Sequence, residues 1–511
     1  MSDEARHARP TPRLTGGSYL AIGLVALLLH TLSLGTFVAG DEVDFWIPRS
    51  EVFLEALQSG DAAATAVTTH PGVTTMWLGA GGIVLRHALR AWGVLQETPF
   101  PTLLALMRLP VALTHVAGVL LGYALLRRLL PAPTAALAAL LWATDPFVLA
   151  FNRVLHVDGL MGTFTTLSLL AAGVSWSHTR RGAWGWGWGW MVLSGIGAGL
   201  AILSKSPALL LLPAVAAATL WYSPRCWWWL FAWGAACLAT VVLVWPALWA
   251  DPARVYQLLR VGVEVEGGSP HMFGNFFLGR PDPAPGPLFY PVALALRTTP
   301  WTLAGVLLLP FAFRGRGAPG GGRGVEVRSL ATLAGFIILF VLAMSFFPKK
   351  FNRYLVPVFP ALDILAAVGL VWGGTHLVQK AKNQAQRLIV GYGSAALLMA
   401  AALLNAAWYH PYEVAYFNQV LGGAPKGAQT FVVGWGEGYD QVAAFLNQQT
   451  DITGVVTLTQ WRTILQPYLR HGSQAPAPKL ATPPTGPATP SCTSAMCREV
   501  ARAPARPVLP P

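Results

Sequence analysis

Residues 40–50 read GDEVDFWIPRS and follow directly on an apolar stretch over 19–39. Asp41, Glu42 and Asp44 thus crowd the point where a chain leaves a bilayer, beside Phe45 and Trp46. A single acid there reads as a solvated stop signal, whereas three read as a site. A second charged segment, DPFVLAFNRVLHVDG at 145–159, carries Asp145, Arg153, His156 and Asp158 between two further apolar runs. Ionisable groups at membrane depth are costly and mark either function or mutual pairing. On the pairing reading, Asp145 ends a helix and Asp158 partners Arg153.

Cations complete the pattern. FFPKKFNRYLVP at 346–357 supplies Lys349, Lys350 and Arg353 at the mouth of another apolar run, LSKSP supplies Lys205, and Arg108 lies inside the end of a third. Such groups can meet anionic headgroups. They are also what holding a lipid phosphate requires, Arg as a forked donor and Lys as a compact charge. Carboxylates beside phosphate-binding cations suit a reaction in which phosphate leaves. A sugar joined through its anomeric carbon to polyprenyl phosphate fits: a carboxylate takes the proton of an acceptor hydroxyl while the cations stabilise the departing phosphate.

The elements that must position these residues are membrane helices. Of 511 residues 54% are hydrophobic and only 11% charged, and the mean hydropathy is +0.50; soluble domains carry about 25% charged residues. At about 20 residues per crossing, spans fall near 19–39, 103–126, 134–151, 155–176, 187–204, 206–222, 227–249, 288–313, 329–346, 355–375 and 388–408. The fold class is therefore an all-α polytopic membrane protein of about eleven transmembrane helices. The net charge of +13 is scattered through short loops; it reads as a topology signal rather than a nucleic-acid surface. It places the N-terminal tail 1–18 in the cytoplasm. The long loops 41–102 and 250–287, and everything after 408, then lie outside.

Arranged along the chain, GDEVDFW, HPGVTTMWLG (70–79), DPFVLAFNRVLHVDG, LSKSP, KKFNRY and YHPYEVAYFNQVLGG (409–423) resemble the GT-C membrane glycosyltransferases of family 39 type. These are related to the protein O-mannosyltransferases and the lipid A aminoarabinose transferases. The resemblance extends to about residue 447 and is carried by the order of the motifs more than by any one of them. It implies a GT-C catalytic domain over 19–408 and an inverting transfer from a polyprenyl-phosphate sugar to an envelope acceptor. Asp41 becomes the catalytic base, with Glu42 beside it and Asp158 as second acid. Arg108, Lys205, Lys349, Lys350 and Arg353 become donor-phosphate ligands. The acids could also ligate Mg²⁺ or Mn²⁺, but members similar in pattern work without a metal, so no cofactor is expected. No inserted trefoil-type domain is visible, so the acceptor need not be a protein. The implied setting is a prokaryotic plasma membrane with the active site on its outer face.

Other features read less sharply. Asp44, Asp145, His70, His156, His271 and Asn275 are candidates for substrate contact, although His70 before Pro71 equally suits a helix start. AWGWGWGWM at 183–191 reads as an interfacial anchor. Cys226 and Cys237 read as buried thiols, while Cys492 and Cys497 are free to pair in an oxidising compartment. QTFVVGWGEGYDQVAAFLNQQ (429–449) and GVVTLTQ (454–460) read as strand, glycine turn, helix and strand, a small α/β unit over 409–470; residues 471–511 have the composition of a disordered tail. GWGEG departs from the dinucleotide fingerprint and reads as a tight turn. An alternative activity is a flippase for lipid-linked sugars, which would place its charges near the midplane with internal symmetry.

Overall fold

The computed structural model describes residues 12–180, 184–271, 274–314, 327–449, 457 and 459–470. Among the described residues, six helices are long and apolar enough to cross a membrane: Phe100–Leu129, Val157–Thr179, Gly187–Ser204, Val327–Ser345, Asn352–Gln379 and Gln384–Tyr409. Two bent pairs, Ala132–Thr144 with Pro146–Asn152 and Phe289–Arg297 with Pro300–Phe313, bring the number to 8 if each pair is one span. Three shorter apolar helices, Gly16–Thr31, Ser206–Tyr222 and Trp229–Val244, occupy the remaining expected positions.

Close crossings rest on small residues, as expected where lipid gives helices no hydrophobic reason to associate. Gly305 and Gly369 bring the helices Pro300–Arg314 and Phe359–Gln379 so near that a Cβ on Gly369 would lie 1.9 Å from the Gly305 carbonyl oxygen. Gly195 and Gly199 do the same for Trp184–Ser204 against Trp229–Val244.

The breaks between helices place the site. Pro146 lacks an N–H and begins a new helix, bending the chain by 61°. Asp145 caps that helix, accepting from Phe147 N (2.8 Å) and Val148 N (3.0 Å). The short helix Pro146–Asn152 then ends, and residues 153–156 turn back before Val157–Arg180 begins. Beyond the first helix, Glu42–Trp46 forms a wide helical turn followed by Ile47–Gln58. The stretch 41–102 is thus largely helical, with Val73–Ala91 as its second main element.

The segment after Tyr409 differs from the α/β unit expected of it. Residues 429 and 430 end the helix Gly423–Thr430, and Phe431 makes one isolated antiparallel bridge to Phe277. Gly434, Gly436 and Gly438 then take positive φ, which ends any extended run. A helix, Tyr439–Asn447, and the short Arg462–Leu465 complete the described part. This segment packs into the main body: Ile464 shares a buried cluster with Val38, Trp46 and Leu155. The pair Cys492 and Cys497, the tail 471–511, the loop 315–326 and most of GVVTLTQ lie outside the described residues. Cys226 and Cys237 are buried free thiols.

Candidate active site

Asp41 stands at the start of the wide turn, and its carboxylate makes no cap for that turn. Its Oδ2 instead accepts from Arg353 Nη2 at 2.9 Å and lies 3.3 Å from His156 Nε2. His156 Nδ1 accepts the Asp158 backbone N–H (3.3 Å), which leaves the imidazole hydrogen on Nε2, facing Asp41. Burial alone would raise the Asp41 pKa, but Arg353 and His156 outweigh it and hold the carboxyl well below the usual carboxylate range.

Asp158 opens the helix that follows the turn and is fully buried, with Lys205 Nζ at 2.6 Å and Arg353 Nε at 3.8 Å. Lys205 sits at the break between Gly187–Ser204 and Ser206–Tyr222, its ammonium 4.0 Å from the centre of the Tyr354 ring. Burial lowers its pKa and Asp158 draws it back up. Asp41, His156, Asp158, Lys205 and Arg353, from four separate segments, therefore form one continuous charged cluster.

The cluster lines a cavity of about 2890 Å³. Asp44, His70, Lys349, His271 and Asn275 also reach its wall. His70 stands edge-on to Trp46 with ring centres 5.5 Å apart, and its turn is tight: Gly72 has φ of 58°, and a Cβ there would strike Trp46 at 2.4 Å. Asn275 Nδ2 donates to the Lys350 carbonyl at 2.7 Å, fastening the loop 250–287 to the 346–354 corner. The wall also carries the apolar side chains of Leu209, Leu210, Val263, Leu339, Leu342 and Phe346.

Five expectations are corrected by placement. Glu42 is fully buried and points away from the cavity, where its carboxylate pairs with Arg108 and accepts from Ala39 N (2.9 Å) and Leu155 N (2.7 Å). Arg108 is correspondingly no phosphate ligand: besides Glu42 it donates to the carbonyls of Leu34 (2.6 Å) and Phe37 (2.7 Å). Lys350 is buried behind the wall with Nζ 2.5 Å from the Phe347 carbonyl. Asp145 is a buried helix cap, as the plainer reading of it had it. The pairing of Asp158 with Arg153 does not form. Arg153 instead pairs with Glu413 and lies 2.8 Å from His410 Nδ1, joining the 145–158 segment to the chain beyond Tyr409.

Sequence reasoning missed Arg49, Arg297, Trp435 and Glu437, all on the cavity wall. Arg49 covers the Phe45 and Trp46 rings (4.9 and 5.0 Å). Arg297 lies 3.7 Å from the Phe417 ring centre and donates to the Val414 carbonyl at 2.9 Å. An aromatic residue inside the glycine turn GWGEG was the available signal for Trp435.

Comparison with known proteins agrees with this architecture. Residues 103–249 match the family described as dolichyl-phosphate-mannose-protein mannosyltransferase. No curated protein matches the sequence significantly. Among solved structures, ArnT from Cupriavidus metallidurans bound to undecaprenyl phosphate is similar with a TM-score of 0.52 at 17% identity, over 91% of this chain and 86% of that one. Its apo form gives 0.52 at 18% identity, over 90% and 86%. The Archaeoglobus fulgidus oligosaccharyltransferase gives a lower score of 0.48 at 14% identity, over 86% of this chain and 59% of that one. The described helices thus make a multi-pass membrane protein whose fold is similar to that of ArnT, with residues 103–249 matching the mannosyltransferase family model.

Proposed function

We propose that the chain transfers a sugar from a polyprenyl-phosphate donor to a hydroxyl of an envelope acceptor, with inversion. The observation that carries this reading is one cavity whose wall holds the Asp41 carboxylate, the cations Lys205, Lys349 and Arg353, and apolar side chains including Leu209, Leu339 and Leu342. The prenyl chain takes the apolar part of the wall and its phosphate the cations. The acceptor oxygen attacks the anomeric carbon while the bond from that carbon to the phosphate oxygen breaks. Asp41 takes the acceptor proton, and the phosphate leaves with the bonding electron pair. A single displacement inverts the anomeric centre. Asp158 orients Lys205 and steadies Arg353.

The distribution of basic residues supports a cytoplasmic N-terminus, with the cavity facing the extracytoplasmic side of a prokaryotic plasma membrane. The related ArnT was crystallised with undecaprenyl phosphate, which supports a lipid donor of that class here.

The test is mass spectrometry of envelope glycans and lipid-linked sugars from cells with the protein, without it, and with Asp41→Asn. Loss of one glycan modification, with build-up of its unused lipid-linked sugar, is expected in both deficient strains. Unchanged glycans in both would refute the reading. Modification lost without the protein but retained with Asp41→Asn would favour a flippase.

A further inference from the structure

The glycine-rich turn 434–438 lies far along the chain from every charged member of the cluster, yet it closes on Asp41. Gly40 N donates to the Trp435 carbonyl at 2.9 Å, and a Cβ on Gly436 (φ 123°) would lie 2.3 Å from the Val38 carbonyl oxygen. Only glycine permits both that backbone conformation and that approach. The Glu437 carboxylate accepts the Trp435 backbone N–H and holds the turn closed.

The result is an indole wedged between the two partners of Asp41. The Trp435 ring centre lies 5.3 Å from the Arg353 guanidinium carbon and 5.2 Å from the His156 ring centre, with that imidazole edge-on at 85°. Phe151 supports it at 5.4 Å. A guanidinium at this distance from a tryptophan face is attracted by the ring's quadrupole, and more so where water is excluded.

We propose that Trp435 is a positioning residue of the active site: its indole holds the Arg353 guanidinium and the His156 imidazole against Asp41, so the segment beyond the last span is part of the catalytic wall. The placement of Asp41 as base belongs to the function proposed above; the aromatic support of its partners stands on geometry alone. The groups facing Asp41 are Arg353 from the 352–358 turn, His156 from the 153–156 turn and the Trp435 indole itself, with Asp158 and Lys205 behind them and Glu437 on the Trp435 turn.

The experiment uses the full chain in detergent micelles and requires no donor. A water-soluble carbodiimide with an amine nucleophile modifies carboxyls through their protonated form, and peptide mass spectrometry gives the rate of Asp41 modification at one fixed, mildly acidic pH. Trp435→Leu, which keeps bulk but removes the aromatic face, is expected to raise that rate about three- to tenfold. Trp435→Phe, which keeps the face and loses only the indole N–H directed at Asp41, is expected to raise it less. In an Arg353→Gln background, where the rate is already raised, Trp435→Leu is expected to add little. A purely structural role would move the Phe and Leu variants alike, or add the same factor in both backgrounds. Either result, or an unmoved rate in Trp435→Leu, overturns the proposal. Failure of the glycan test with these rates as expected would reject the transferase reading and leave the role of Trp435 standing.

Discussion

Asp41 and Glu42 are neighbours in sequence and occupy opposite environments: the Asp41 side chain is 25% exposed on the cavity wall, and that of Glu42 is 0% exposed against Arg108. One acid of the pair faces the cavity and the other builds the turn that presents it. The two therefore respond differently to substitution.

Asp41→Asn keeps the shape of the side chain and removes its ability to take a proton. Sugar transfer in isolated membranes should fall about 10²–10⁴-fold, the usual contribution of a positioned general base. The variant should still elute as a folded protein. Transfer within threefold of the parent would exclude Asp41 as the base.

Glu42→Gln and Arg108→Met each leave half of a buried ion pair behind. Such changes typically cost about 3–5 kcal/mol. Thermal melting of the purified proteins should drop sharply for each, whereas Asp41→Asn should lose far less, because its partially exposed pairing is screened by solvent. Equal melting temperatures for all three would contradict the division of roles.

Lys349 and Lys350 make a similar contrast. Lys349→Ala should weaken binding of undecaprenyl phosphate, measured with the lipid in micelles, by about tenfold, as loss of one charge-assisted contact implies. Lys350→Ala should leave that affinity close to the parent value, since the ammonium faces the Phe347 carbonyl behind the wall. The reverse order of effects would place the phosphate elsewhere.

The pH dependence has a definite sign. Because the Asp41 pKa is lowered in the fold from its ordinary value of 3.8, its contribution to stability is present above that value and fades as pH falls through the folded value. The difference in melting temperature between the parent and Asp41→Asn should thus be steady near neutrality and shrink below about pH 4. A gap that widens on acidification would show that Asp41 is not paired with Arg353 in solution.

Much of this architecture was legible before any coordinates. Long apolar runs mark helices by length alone, and Pro146 after Asp145 marks a bend with its cap. What was not legible is which way adjacent side chains face. Lys349 and Lys350 lie outside any helix or strand, so no regular period fixes their directions, and nothing in KK says which meets the cavity. Arg108 looked like a phosphate ligand because its counter-charge, Glu42, lies 66 residues away and was already assigned to catalysis. The strand expected at QTFVV failed for a local reason: its apolar residues pack singly, Phe431 against Phe289 and Phe417, while three glycines with positive φ follow at once.

The clasp of Arg153 on Glu413, with His410 alongside, also bears on how the protein is made. Ribosomes build from the N-terminus, so Asp41 and every cation of the cluster are synthesised before Glu413 and Trp435 exist. A nascent chain still threading its last helix has the charges but neither the latch nor the indole wall. Completion of the cavity wall is therefore deferred until translation has passed residue 435, the position of that indole.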